Sequence, residues 1–144
     1  MSRPAESHKD QVRRFYHSLW NQHDLSAIPL LLTGDCRFRG SLGDEKRGHE
    51  GIAVYIDMVH AALGGYQCRI DNLVAEDAQV FARMFFSGVH REEFMGYPAT
   101  GKMVGWSGAA LFTFHAQLID EVWVLGDVHR LREQLADSSA TFNH

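Results

Sequence analysis

Cysteine, proline and long apolar runs are all scarce in this chain, and each shortage removes a class of protein. Its two cysteines, Cys36 and Cys68, lie outside any Cys-x-x-Cys pair and are too few for a disulfide scaffold. They read as reduced thiols, and a cytoplasmic location is expected with them. Three prolines leave no proline-rich linker, and no repeat or low-complexity segment appears. Apolar runs are broken by Arg, Asp or Gly well before the roughly 18 residues a membrane span needs, so no membrane is expected as a partner. The polar start MSRPAESHKD lacks the apolar stretch of a secretory signal. Basic residues are in the minority, 14 Lys and Arg against 18 Asp and Glu for a formal charge of -4, and they are scattered. A phosphate backbone usually selects a basic stripe, so no nucleic acid is expected either.

What is present describes an ordinary globular chain, with 45% hydrophobic and 22% charged residues. A chain of about 150 residues buries close to 70% of the surface its unfolded form exposes. One core is therefore within reach, and residues 1–144 read as a single domain with a frayed tail over 136–144. The 11% aromatic content hints at a pocket for flat apolar molecules.

The spacing of apolar residues changes half-way. Val12, Phe15, Tyr16, Leu19 and Trp20 recur every three or four residues and predict a helix over 6–21. A second short helix is expected over 25–32, with Pro29 near its start, then a short strand over 35–39 and a charged, Gly-containing loop over 40–48. Ile52, Tyr55, Ile56, Val59 and Leu63 mark the buried face of a third helix over 49–63, which Gly64-Gly65 is expected to end. From there the period is two. Strands are predicted over 66–76, 80–90, 103–115 and 118–128, with a long connection over 91–102 and a helical turn over 131–135. Helices followed by an antiparallel meander give an α+β arrangement, and glycines within the strands (Gly88, Gly105, Gly108, Gly126) suit a strongly curved sheet with a hollow beneath it.

Few residues in this pattern invite chemistry. On the last strand, alternation puts Ile119, Glu121, Trp123, Leu125 and Asp127 on one face, provided that no bulge intervenes at Gly126. Asp127 inside the hollow would be a general base whose pKa is raised by burial; at the strand end it could instead cap the following turn. His90, ending another strand, could orient that carboxylate or relay a proton, or be a satisfied structural group. Trp106 and Trp123, on strands joined by a tight hairpin, could form a stacking wall for an aromatic ligand or be plain core. The histidines and cysteines form no set at metal-ligand spacing, and no Gly-rich phosphate loop or Gly-x-Ser-x-Gly elbow occurs, so neither a metal nor a nucleotide cofactor is expected.

The order of these pieces resembles the SnoaL-like, ester cyclase-like polyketide cyclase group of the NTF2-like superfamily. Gly88-Val89-His90 is followed by Gly96-Tyr97-Pro98-Ala99-Thr100-Gly101-Lys102, then by Leu111-Phe112-Thr113-Phe114. Ile119, Glu121, Trp123 and Asp127 precede a tail reading Leu131-Arg-Glu-Gln-Leu135, and Arg47-Gly-His-Glu-Gly51 is similar to the group's helix start. Val89 departs from the group's usual Thr, and His115-Ala-Gln117 from its usual Asp-Gly turn. The resemblance implies a cone-shaped barrel of curved antiparallel sheet around three helices, enclosing an apolar pocket and using no cofactor. It implies that Asp127, with His90, performs acid/base catalysis of an intramolecular aldol ring closure. Trp106, Trp123, Tyr16 and Tyr55 would then contact an apolar, aromatic or polyketide-like substrate, and a homodimer is expected. Two alternatives stay open: an isomerase, hydratase or epoxide hydrolase in the same pocket, the last drawing on Arg83 and Asp127, and a binding protein without catalysis.

Overall fold

The structure is a computed structural model and describes residues 4–137. Helix α1 (Pro4–Arg14) runs directly into a π-helical segment, Phe15–Asn21. There the backbone bond reaches back five residues, as from the Gln22 N–H to the His17 carbonyl at 3.0 Å. The wider turn lets two adjacent pairs, Phe15–Tyr16 and Leu19–Trp20, share one buried face, where sequence spacing implies a regular helix throughout. Asp24 then accepts the Ser26 N–H to cap a single turn at Leu25–Ala27, and α2 (Ile28–Leu31) follows with Pro29 in its first turn.

The remaining elements are β1 (Leu32–Arg39), β2 (Glu45–Arg47), α3 (Gly48–Ala62), β3 (Leu63–Glu76), β4 (Gln79–His90), β5 (Met103–His115), β6 (Leu118–Gly126) and α4 (Val128–Ala136). Among the described residues there are four α-helices, where three helices were expected, and one six-stranded sheet ordered β2-β1-β6-β5-β4-β3. The sheet is mixed where an antiparallel one was expected, because β1 pairs parallel with β6. A long connection through α3 and the meander joins those two strands, and only such a connection permits parallel pairing. Several boundaries also move. The expected loop over 40–48 contains β2, and the helix over 25–32 is broken in two. Gly64 and Gly65 open β3 instead of following α3, with Gly65 at φ +62° making the turn from helix to strand. The last strand stops at Gly126, so Val128 starts a helix longer than the single turn expected over 131–135. Of the tail over 136–144, Ala136 is helical and residues 138–144 lie outside the described residues.

The core fills the space between the sheet's inner face, the π-helical segment and α3. Alternation is clean along β4, where Val80, Ala82, Met84, Phe86 and His90 point inward, and along β5, where Val104, Trp106, Ala110, Phe112 and Phe114 do. On β6 it is broken. Ile119 pairs with Phe114 and Glu121 with the adjacent Thr113, so β6 carries one extra residue at Asp120. This bulge reverses the faces beyond it: Val122 and Val124 are buried, while Trp123 and Leu125 point out.

Gly108 allows the curvature beside this strand. A Cβ there would stand 2.5 Å from the buried Phe86 ring and 3.2 Å from the Leu125 carbonyl. Replacing Gly108 with Ala is expected to destabilise the protein by about 1–3 kcal/mol, the usual cost of overpacking a filled core. Urea unfolding of the variant checks this; an unchanged midpoint would show that the Phe86 ring can yield.

Candidate ligand-binding site

Between the helices and the inner sheet face lies a narrow cavity that, with its open mouth counted, takes in about 430 Å³ of empty space. An aromatic circuit surrounds it. Trp20 meets Phe38 at 6.2 Å between ring centroids, Tyr55 at 6.1 Å and Tyr66 at 5.4 Å; Phe38 meets Tyr55 at 5.3 Å. Tyr66 continues to Trp106 at 6.2 Å, which meets Phe86 at 5.6 Å. Phe15, Tyr16, Val59, Phe94 and Val124 fill the gaps, and Gly40, Ser41 and Leu42 border the space from the β1–β2 loop. Gly40 is needed there, because a Cβ would sit 2.4 Å from the Tyr55 hydroxyl.

Among the described residues, no Asp, Glu, Lys, Arg or His belongs to this wall. Its polar atoms are the hydroxyls of Tyr16, Tyr55, Tyr66 and Ser41, the Cys68 thiol and the Trp106 indole N–H. Burial pushes the Tyr16 and Tyr66 phenols well above their ordinary range, with the nearby Cys68 adding to both. Tyr55 is pushed up to about 12, again chiefly by burial and partly offset by the Leu42 N–H that donates to it. Burial also raises the Cys68 thiol, against a bond from Tyr66. All four stay protonated near neutral pH, so the cavity is uncharged and its phenols are hydrogen-bond donors. Two of these polar atoms, the Tyr16 hydroxyl and Trp106 Nε1, are buried with no partner.

The structure gathers some of the expected site residues here and disperses the rest. Tyr16, Tyr55 and Trp106 line the cavity. Trp123 does not: it is 43% exposed on the outer sheet face, with the Arg39 guanidinium 5.5 Å over its ring, so no double-indole wall forms. The bulge at Asp120, not one at Gly126, is the reason. Asp127 is exposed too, and its Oδ1 accepts the Arg130 N–H at 3.0 Å as the N-cap of α4. It borders an open hollow with Phe85, Met103, Ser107 and Gln134, which shares Trp106 with the cavity wall. His90 is fully buried but faces the 91–102 connection. Its Nε2 donates to the Tyr97 carbonyl at 3.2 Å, and its Nδ1 hydrogen-bonds with the Thr100 hydroxyl at 3.1 Å. Arg83, considered with Asp127 for epoxide opening, points outward from β4.

Sequence reasoning missed the rest of the wall. Phe38, Tyr66, Cys68 and Phe86 are inward positions of their strands and were legible from alternation once the strand limits were right. Trp20 follows from the π-helical face. Phe94 had no such signal: it enters the cavity from the irregular connection, held by paired backbone bonds with Tyr97 at 3.0 and 2.9 Å.

Comparison with known proteins agrees with this architecture. The SnoaL-like polyketide cyclase family matches the sequence over residues 10–135. The chain belongs to that family. A protein from Jannaschia sp. CCS1, provisionally named a SnoaL-like polyketide cyclase, superposes with a TM-score of 0.86 at 16% identity over 95% of this chain and 96% of its own. TsrD from Streptomyces laurentii gives 0.82 at 24% identity, covering 94% and 98%. IdmH from Streptomyces antibioticus, provisionally named a polyketide cyclase, gives 0.78 at 22% identity, covering 89% and 97%. At these identities the likeness establishes the shared NTF2-like cone fold. No curated protein sequence is similar enough to count as a relative.

In this SnoaL-like chain the Trp20 wall is fixed from outside by two histidines. His60 Nε2 donates to the Trp20 carbonyl at 2.8 Å, and its ring stacks on His23 at 3.9 Å; His23 in turn bonds Asp57 at 2.6 Å. Burial, then repulsion from His23, lowers the His60 pKa, against the Trp20 carbonyl and Asp57, which favour its charged form. A lowered value in the folded state means that the unfolded chain takes up the proton first, at its ordinary pKa of about 6.5. His60's contribution is thus complete above that value and lost as pH falls through the lower folded one. Urea midpoints measured from about pH 7.5 to 5.5 are expected to fall, and to fall less in His60→Gln. Equal slopes would show that His60 does not titrate in this window.

Proposed function

We propose that the chain is a small-molecule binding member of its family, and that its cavity takes up a flat, uncharged, mainly apolar molecule on which no side-chain carboxylate acts. The observation carrying this reading is the aromatic circuit, whose wall holds no charged side chain among the described residues. Aromatic contacts of such geometry are worth about 0.5–1.5 kcal/mol each beyond the area they bury. A charged ligand would lose its hydration there and find no counter-ion. Ring closure by proton abstraction needs a base with a pKa near the working pH. The cavity phenols and the Cys68 thiol are held protonated, and Asp127 is engaged as a helix cap on the outer face. Structural neighbours provisionally named polyketide cyclases favour polycyclic, oxygen-bearing aromatics as the ligand class.

Titration with fluorenone, followed by quenching of Trp20 and Trp106 fluorescence, is expected to saturate. Asp127→Asn, which keeps a capping oxygen, is expected to bind as the unaltered protein does. The reading is overturned if the protein cyclises a polyketide ester and Asp127→Asn abolishes turnover while binding persists, because Asp127 is then the base.

We further propose that a second copy of the chain covers the outer sheet face. Val74, Phe81, Leu111 and Trp123 stand opposite one another in a continuous cross-strand row, and Leu125 extends the apolar area. The adjacent row runs from Glu76 at one end to Glu121 and Arg37 at the other, so a two-fold related copy would set Arg37 towards Glu76. Sedimentation is expected to give a dimer, and Trp123→Glu with Leu125→Glu a monomer. A monomeric unaltered protein at micromolar concentration would exclude it.

A further inference from the structure

Three buried side-chain atoms among the described residues have no hydrogen-bond partner: His8 Nδ1, the Tyr16 hydroxyl and Trp106 Nε1. Two of the three, the Tyr16 hydroxyl and Trp106 Nε1, belong to residues that line the cavity. Leaving a buried donor unpaired forfeits its hydration without replacement, so such groups are rare in folded proteins. Tyr16 and Trp106 are each only 3% exposed. Neither phenol nor indole is charged, and Tyr16 is kept protonated by its burial. An indole N–H can only donate.

The two donors come from different walls. Tyr16 is delivered by the π-helical segment and sits edge-on to Phe15 and Phe112, at 5.1 and 5.7 Å. Trp106 comes from β5, and its Nε1 lies beside Ser41 and Gly126; a Cβ on Gly126 would stand 3.0 Å from that nitrogen and 2.6 Å from the Ser41 hydroxyl. By contrast, the other two phenols are engaged, Tyr55 with the Leu42 N–H and Tyr66 with Cys68.

We infer that the Tyr16 hydroxyl and the Trp106 indole N–H are the ligand's two hydrogen-bond donors, and that the ligand is a flat neutral molecule carrying carbonyl-type acceptor oxygens. This rests on the proposed binding function and adds the polar half of recognition. Aromatic walls alone accept any flat hydrocarbon. Two unpaired donors discriminate, because a molecule without acceptors leaves both unpaired in the complex while a ketone relieves that cost. The Gly126 backbone keeps the Trp106 nitrogen clear of a side chain. Carboxylates and amines are disfavoured, the first by the absence of a counter-charge and the second because donors would face donors.

Fluorenone and fluorene share their shape and differ in one carbonyl. The unaltered protein is expected to bind fluorenone about tenfold more tightly than fluorene, and Tyr16→Phe with Trp106→Phe to bind the two equally while still binding fluorene. Each single variant is expected to reduce the preference. A second readout needs no ligand: Tyr16→Phe removes an unpaired buried hydroxyl, so its melting temperature should not fall. Equal binding of both probes by the unaltered protein, or a preference that survives in the double variant, overturns the inference and leaves the binding function standing. Failure of both probes to bind overturns the binding function itself.

Discussion

The extra residue at Asp120 in β6 decides which side chains the last strand offers to the helices. Because a strand alternates strictly, one inserted residue reverses every position beyond it. Val122 and Val124 therefore close the apolar wall, and Trp123 and Leu125 leave it. Asp127 follows them out of the core, where its carboxylate finds the free N–H groups at the start of α4. The neutrality of the cavity and the apolar row across the outer face are both consequences of that one irregularity.

A second consequence concerns chemistry. A cavity whose every ionisable group is a buried phenol or thiol is electrically silent near neutral pH, since desolvation pushes each group towards its uncharged form. Such a site recognises shape, flatness and hydrogen-bond acceptors. The π-helical widening at Phe15–Asn21 matters for the same reason, because it turns both Tyr16 and Trp20 to one side.

The residues that looked most chemical in the sequence organise the backbone. His90 ties the 91–102 connection to the end of β4, with the Lys102 carbonyl accepting its N–H at 2.8 Å and the Gly101 N–H returning to its own carbonyl at 2.8 Å. That connection carries Phe94 into the cavity, so His90 shapes the site from behind its wall. The family's signature around His90 and Gly96–Lys102 thus has a structural use in this chain that is independent of proton transfer.

Local chemistry made much of this legible in one dimension. Periods of three to four and then two placed the helices and the meander, and order along the chain carried the family resemblance, because both depend on neighbours in sequence. Tyr16, Tyr55 and Trp106 were legible as inward-facing positions because each belongs to an apolar stripe of the sequence. What tertiary structure alone decided is register: the bulge at Asp120, the parallel pairing of β1 with β6 and the π-turn after Arg14 each come from how distant segments fit together. The composition spoke of aromatic residues and few special ones. Only packing could turn those aromatics into an uncharged enclosure and leave Asp127 outside it, because which face a side chain occupies is set by the strand it pairs with.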